Sequence, residues 1–406
     1  MSFASSQHVK QKASPSSIVA AIYGTGSPKS GSEVNKVRGE FNPSIIVRSK
    51  VRAHFISGIS IYSFRRTNVS LNLLRSSYAK YLLLLILGVA PFAWAQDRKL
   101  PPDVKLSEGS KLDKSQSGYY RMRIGKIDVI ALTDGTIGVD FLALLTNTKP
   151  GEVESLMARE YVKPTAVEAS MNAYLIQLDN RLILVDTGAG ELLGPKLDKL
   201  PDSLRSVGVQ PEIITDILLT HIHPDHSGGL TVGGRRIFPN ATVHINKLEL
   251  DYWTNKSLGE KAPEPTKTFF QQANQTVSPY IKSGQVKTFV GEVELFPGLR
   301  TLAGYGHTPG QTYFVLESNG ETLVFWGDTI HVQDVQFTDP SVTIKFDVDP
   351  KAAAAQRKLA LADAAKNGYL VALDHVYFPG VGHVQKEGDH FRWIPVPYIN
   401  DSQTAR

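Results

Sequence analysis

The 406-residue sequence contains no cysteine. That absence excludes disulfides, thiolate metal ligands and a cysteine nucleophile, and it says little about compartment. Charge is modest. Asp, Glu, Lys and Arg make up 20% of the chain against 42% apolar residues, the balance of a globular protein with a sizeable core. Short-period repeats are absent. Only one long apolar run occurs, Tyr81–Ala95, and it is shorter than the roughly 20 residues a membrane span needs. Acidic residues are scarce at one end: residues 1–96 hold twelve Lys/Arg and two Asp/Glu, a balance of +10. The remaining 32 basic and 37 acidic residues give −5. The basic average therefore belongs to the N-terminal segment, and the rest offers no electrostatic case for a nucleic-acid partner.

The run "YLLLLILGVAPFAWAQ" comes after Arg75 and Lys80, carries Gly88 and Pro91, and ends in Ala93-Trp94-Ala95. A basic flank, a short apolar core and a small-x-small ending read as a signal peptide cut near Ala95–Gln96. The implied location is periplasmic or secreted, with no stable membrane span after cleavage. An uncleaved anchor is the competing reading. Residues 1–80 read as a disordered basic leader or upstream sequence ahead of the true start, and 96–117 as a loose arm.

The remaining chain, 118–400, reads as one domain. "YYRMRIGKIDVIALTDG" (119–135) and "NAYLIQLDNRLILVDTG" (172–188) are hairpins turning at Gly125-Lys126 and Asp179-Asn180. Residues 136–168 read as helix and loop, 194–207 as a helix, and 212–220 as a strand. Further strands are expected at 241–245, 285–290 and 299–305, with a helix over 247–254. "TYFVLESNGETLVFWGD" (312–328) is a hairpin around Asn-Gly. Asp349, Pro350 and Gly368 sit at N-cap, first-turn and C-cap positions of a helix, and "YLVALDH" (369–375) comes next as a buried strand. Two strand-rich halves with helices predict an α/β fold (α+β) built as an αββα sandwich.

Three histidines and an aspartate then crowd into "THIHPDHSGG" at the end of a predicted strand. Imidazole and carboxylate are ligands for zinc and related cations. His221 and His223, two apart, share a face. Pro224 ends the strand, and Asp225 and His226 can turn back toward the same point, with Ser227-Gly228-Gly229 keeping the backbone tight. One turn thus offers two subsites, His221/His223 and Asp225/His226, with Thr220 near enough to hydrogen-bond. Neither shell is complete, so ligands are required downstream. His307, Asp328 and His375 each end an apolar strand. His383 competes with His375, and His331 falls near the site without an assigned role. Trp253 and Phe337 are candidate pocket walls, with ordinary core placement as the competing reading.

By His221-x-His223-x-Asp225-His226, then His307, Asp328 and His375, the chain resembles the metallo-β-lactamase-fold hydrolases over nearly all of 118–400. The resemblance implies a four-layer αββα sandwich of that type and two divalent metals, zinc most simply. His221, His223 and His307 would hold one, Asp225, His226 and His375 the other, and Asp328 would bridge. Asp186, in "LVDTG", would buttress the site. "SGYYRMRIGKIDVIALTDGT", "DTGAGELLGPKL", "VQFTDPSVT" and "FPGVGH" look most like the methyl parathion hydrolase group. The implied activity is hydrolysis of a small-molecule aryl ester, lactone or phosphotriester by a metal-bridging hydroxide, with Asp225 and Asp328 as the catalytic carboxylates and Asp225 also passing a proton to the leaving group. A homodimer is what the resemblance suggests. Departures matter too. The absence of cysteine and the presence of Asp328 set the chain apart from β-lactamases with Cys or all-His ligands. His331 stands where small quorum-quenching lactonases carry Tyr, which puts an acyl-homoserine-lactone role in doubt. Rival readings are a glyoxalase II-like thioester hydrolase, an iron-dependent sulfur dioxygenase, a β-lactamase-like amide hydrolase, and a non-catalytic metal-binding protein.

Overall fold

The computed structural model describes residues 116–400. The readings for the leader, the signal peptide and nearly all of the arm lie outside them. Fourteen strands make two seven-stranded sheets, and within each the strands lie side by side in chain order. The first holds β1 (Tyr119–Ile124), β2 (Ile127–Val139), β3 (Val167–Leu178), β4 (Arg181–Val185), β5 (Asp216–Leu218), β6 (Thr242–Asn246) and β7 (Val286–Phe289). The second holds β8 (Glu294–Phe296), β9 (Leu299–Ala303), β10 (Thr312–Ser318), β11 (Glu321–Phe325), β12 (Leu370–Ala372), β13 (Val381–Glu387) and β14 (His390–Pro395). Pairing is parallel from β4 through β7 and between β11 and β12. It is antiparallel elsewhere.

Side-chain alternation along the strands produces the layers. Val129, Ala131, Tyr174, Ile176, Ile183 and Val185 face Phe314, Leu316, Leu323 and Phe325 of the other sheet in one apolar core. Their neighbours Ile130, Leu132, Ala173, Leu175 and Leu184 turn the other way, onto helices contributing Leu204, Trp253, Phe270, Val277 and Tyr280. Beyond the second sheet, Tyr313, Val315, Val324 and Val371 pack on Ala360, Leu361 and Ala364 of helix Pro350–Asn367. The architecture is the expected αββα sandwich. A smaller cluster joins residues 141–169 to 332–344, tied by the pairing of Leu145–Thr146 with Thr343–Ile344.

Local signals hold where caps and turns carry them. Asp349 accepts from Ala352 N, and Gly368 closes its helix at φ 70°. Several expectations need correction. The segment 136–168 is less helical than expected, because β2 continues to Val139 by bending at a bulge between Thr133 and Gly135. The helix expected at 194–207 spans only Leu200–Ser206, since Gly194 and Asp198 take positive φ and interrupt a helical path. The strand expected at 212–220 shortens to β5. Helix Thr266–Lys282 is an addition to the expected elements. Its Thr/Gln/Asn-rich surface and internal Pro279 mask a buried stripe of Phe270, Ala273, Val277 and Tyr280.

Candidate metal centre

Each residue of the constellation lies just past the C-terminal end of a strand. Asp186 comes after β4, the run Thr220–His226 after β5, His307 after β9, Asp328 after β11 and His375 after β12. Parallel strands deliver loops to one edge, which is why residues distant in sequence meet there. The His226 turn sits tight against the Asp186 turn. A Cβ on Gly228 would strike the Ala189 carbonyl, and one on Gly229 the Thr187 carbonyl.

The structure brings the seven residues into two groups that share Asp328: His221, His223, His307 and Asp328, and Asp225, His226, His375 and Asp328. Within each group the ligand atoms lie within 4.8 Å of one another. The carboxylate of Asp328 is split between them. Its Oδ2 lies 3.2 Å from His307 Nε2 and 3.7 Å from His221 Nε2. Its Oδ1 lies 3.0 Å from both His226 Nε2 and His375 Nε2. On the second side, Asp225 is 3.4 Å from His375 and 3.8 Å from His226. His223 Nδ1 and His307 Nε2 approach to 3.0 Å.

Buried atoms at this centre lack hydrogen-bond partners: His221 Nε2, His226 Nε2 and Asp328 Oδ1. Orphaned buried polar atoms are costly, and here they are lone-pair donors aimed at common points. The opposite nitrogens of four of the five histidines are anchored, while His223 Nε2 is buried without a partner. His221 Nδ1 meets Thr220 Oγ1, His226 Nδ1 meets Asp186, His307 Nδ1 meets Asp347 and His375 Nδ1 meets the Ser170 carbonyl. Holding one imidazole nitrogen orients the other as a ligand. These donors fit a pair of divalent cations.

Asp186 is expected from sequence as a buttress, and its carboxylate accepts from Thr220 N, Thr220 Oγ1 and His226 Nδ1. Sequence reasoning misses Asp347, Asp374 and Glu249. Asp347 has no strand-end signal. Asp374 is hidden beside His375, yet its Oδ2 lies 3.0 Å from His226 Nδ1. Two candidate pocket walls are corrected. Trp253 is buried with its ring edge-on to His223, and Phe337 is buried and stacked on Trp393. Both are core residues. His331 is in the centre, with Nε2 3.1 Å from Asp328 and its ring stacked on His375. His383 lies exposed on β13, away from the cluster. Phe269, half-buried and packed on His223 and Phe346, is a partly exposed aromatic residue beside the candidate ligands.

Protonation is set by this packing. Burial holds His221 and His223 well below the ordinary imidazole value. Burial opposes charge on His226, His307 and His375 as well, but neighbouring carboxylates win. Asp328, Asp225 and Asp186 raise His226 well above 6.5. Asp328 and Asp347 raise His307 to about 9, and Asp328 and Asp225 raise His375 to about 9. Burial would raise Asp328, but His226, His375, His331 and His221 hold it well below the usual carboxylate range. In the metal-free chain the raised imidazoles therefore stabilise the fold below pH 6.5, and the part due to His307 and His375 is lost as pH rises through about 9. A metal must displace their protons. Zinc binding at pH 7 is expected to release protons, fewer as pH approaches 9, with affinity rising over the same window. Calorimetry in buffers of different ionisation enthalpy measures this, and zero net release at pH 7 would contradict the assignment.

A two-sheet sandwich with paired His/Asp groups at its strand ends marks a candidate binuclear metal site. A family model of the metallo-beta-lactamase superfamily matches residues 168–383, a span holding all seven ligand candidates, and the chain belongs to that superfamily. Among solved structures, the hydrolase AbOPH of the beta-lactamase superfamily is similar at 33% identity and TM-score 0.68, over 71% of this chain and 100% of that one. AidC, a dizinc quorum-quenching lactonase, is similar at 28% identity and TM-score 0.66, over 70% of this chain and 99% of that one. An N-acyl homoserine lactonase of Bacillus thuringiensis is 25% identical over 173 residues, 37% of this chain. This chain spans 60% of that relative's length. The atrochrysone carboxyl ACP thioesterase of Passalora fulva is 28% identical over 160 residues, 39% of this chain and 38% of its own.

Proposed function

We propose that the chain is a binuclear metal hydrolase of small-molecule esters, with lactones and aryl esters as the first substrate class. The observation that carries this is the split of Asp328, whose two oxygens face two separate sets of ligand candidates, with His221 Nε2 buried and unpartnered in one set and His226 Nε2 in the other. Two divalent cations, zinc in the simplest case, would supply Lewis acidity toward the ester oxygen and lower the pKa of water from 15.7 toward about 7. The residues do the rest. His221, His223 and His307 would hold one cation and Asp225, His226 and His375 the other, with Asp328 shared between the two groups. Asp225 is the one ligand candidate outside the buried class, with 17% of its side chain exposed. Its carboxylate faces the open side and can carry a proton to a departing alkoxide. Half-buried Phe269 and Phe346 form an apolar wall suited to an acyl or aryl group.

The similarity to a dizinc lactonase supports the lactone reading and weakens the doubt that His331 casts on acyl-homoserine lactones. Phosphotriester hydrolysis, as in the methyl parathion hydrolase group, is the second reading. Its support is the sequence stretches that resemble that group. We also propose export, with the mature chain starting at Gln96; N-terminal sequencing of the exported protein reads that directly. Among the described residues no helix is long and apolar enough to cross a membrane. The function is tested on purified protein by metal content per chain and by hydrolysis of lactones, aryl esters, phosphotriesters, thioesters and a β-lactam. Two metals per chain with turnover of lactone or aryl ester is expected. A metal-replete chain that turns over thioester or β-lactam alone would replace this reading.

A further inference from the structure

Glu249 belongs to none of the ligand groups, yet it is a carboxylate residue only 1% exposed. Burying such a group is costly unless its acceptors are filled. Here three N–H donors fill them, with the Thr308 hydroxyl as a further polar neighbour. Oε1 accepts from Ile222 N at 2.9 Å and from Trp253 Nε1 at 2.7 Å, and Oε2 accepts from Gly310 N at 2.8 Å. Ile222 lies between His221 and His223. Gly310 lies three residues past His307. One side chain thus pins two loops that come from different sheets. The approach is close enough that a Cβ at Gly310 would collide with the Glu249 backbone. The second ligand group is anchored elsewhere, by Asp186 at His226 and by Ser170 at His375.

We propose that Glu249 is a positioning residue that sets the spacing between the His221/His223 loop and the His307 loop, and thereby tunes one of the two metal positions without acting on the other. The inference rests on the binuclear reading above. A carboxylate is required because both loops present donors. Glutamine has one acceptor oxygen and one NH2 donor, so it can serve Ile222 and Trp253 but must face Gly310 N–H with another N–H.

The test compares wild type, Glu249→Gln and Trp253→Phe, each titrated with zinc against a competing chelator, with cobalt absorption as a second readout and melting temperature as a control. Glu249→Gln is expected to weaken one of two metal equivalents about 10–100-fold, the range for partners that orient ligands, and to leave the other unchanged. Trp253→Phe removes the indole donor but keeps an aromatic ring against His223, leaves the Glu249 bonds to both loops in place, and is expected to lower melting temperature while keeping both affinities within a few-fold. Wild-type affinity for both metals in Glu249→Gln, or equal weakening of both, would overturn the proposal. A wild type that binds no metal would instead sink the binuclear reading beneath it. Should Glu249→Gln fail to fold, hydrogen exchange on metal-free wild type decides. Protected Ile222 and Gly310 amides are expected before zinc is added, and free exchange at both would overturn the proposal.

Discussion

Asp328→Ala is expected to lower kcat/KM for ester hydrolysis by about 10³-fold or more, on the order of 4 kcal/mol, and to reduce bound metal below two per chain. The size reflects position. Asp328 is the single group shared by both ligand sets, with Oδ2 toward His307 and His221 and Oδ1 toward His226 and His375. Its loss removes a ligand from each position at once. It also removes the negative charge that favours protonated His307 and His375, so those imidazoles titrate lower in the variant. Easier deprotonation partly offsets the lost ligand, and the smaller proton release on metal addition should register it. The offset is incomplete, because easier deprotonation of the imidazoles does not replace the missing carboxylate ligand. Asp328→Asn, which keeps the shape but loses the charge, separates ligation from packing and is expected to fall between the two. Metal analysis beside steady-state kinetics checks the result. Two metals retained with activity within threefold of wild type would refute the bridging role.

The second large effect is on stability. Asp186 is buried and accepts from Thr220 N, Thr220 Oγ1 and His226 Nδ1, and its backbone takes φ 57°. Asp186→Ala leaves the buried Thr220 amide unpaired, a loss of about 1–3 kcal/mol. It also places an alanine in the left-handed region, at about 1–2 kcal/mol. The sum is roughly 3 kcal/mol, or a fall in melting temperature of roughly 6–12 °C at the 2–4 °C per kcal/mol of large domains. Activity should suffer less than in Asp328→Ala, by about tenfold, because Asp374 also lies 3.0 Å from His226 Nδ1. Burial and the nearby charge of Asp186 hold Asp374 well above the ordinary carboxylate range. Removing Asp186 relieves that repulsion, so Asp374 can ionise and replace the lost charge. Asp186→Asn tolerates the same φ, keeps one acceptor, and is expected to lose about half as much stability. Denaturant unfolding of the metal-free proteins gives the comparison. Alanine and asparagine variants of equal stability would show that backbone conformation and acceptor count do not matter at this turn.

Much of the fold and site is legible in the sequence because it is local chemistry. The capped helix Pro350–Asn367 and the hairpins at Asp179-Asn180 and Asn319-Gly320 are set by residues adjacent in the chain. The seven-residue constellation announces itself because histidine and aspartate at the ends of apolar strands have few structural reasons to be there. Helix Thr266–Lys282 escapes a sequence reading because Pro279 and its polar face obscure a core stripe that the sheet decides. Trp253 and Phe337 resemble pocket walls in sequence because aromatic residues near site loops look alike until burial separates core from surface. Asp347, Asp374 and Glu249 are carboxylates among many in the sequence. For the first two, only contacts across 40 to 148 positions of chain, from His307 to Asp347 and from His226 to Asp374, distinguish them.

By itself, then, the sequence determined the layer architecture, through alternation and caps, and the set of candidate ligand residues, through residue type at strand ends. Tertiary structure decided how closely the candidate ligands gather around Asp328, which carboxylates hold them, that His375 rather than His383 faces the cluster, and that Phe269 is half-buried beside His223 where Trp253 is wholly buried. The physical reason is that ligand chemistry belongs to the side chain, whereas distance, burial and proton affinity belong to the neighbours the fold supplies.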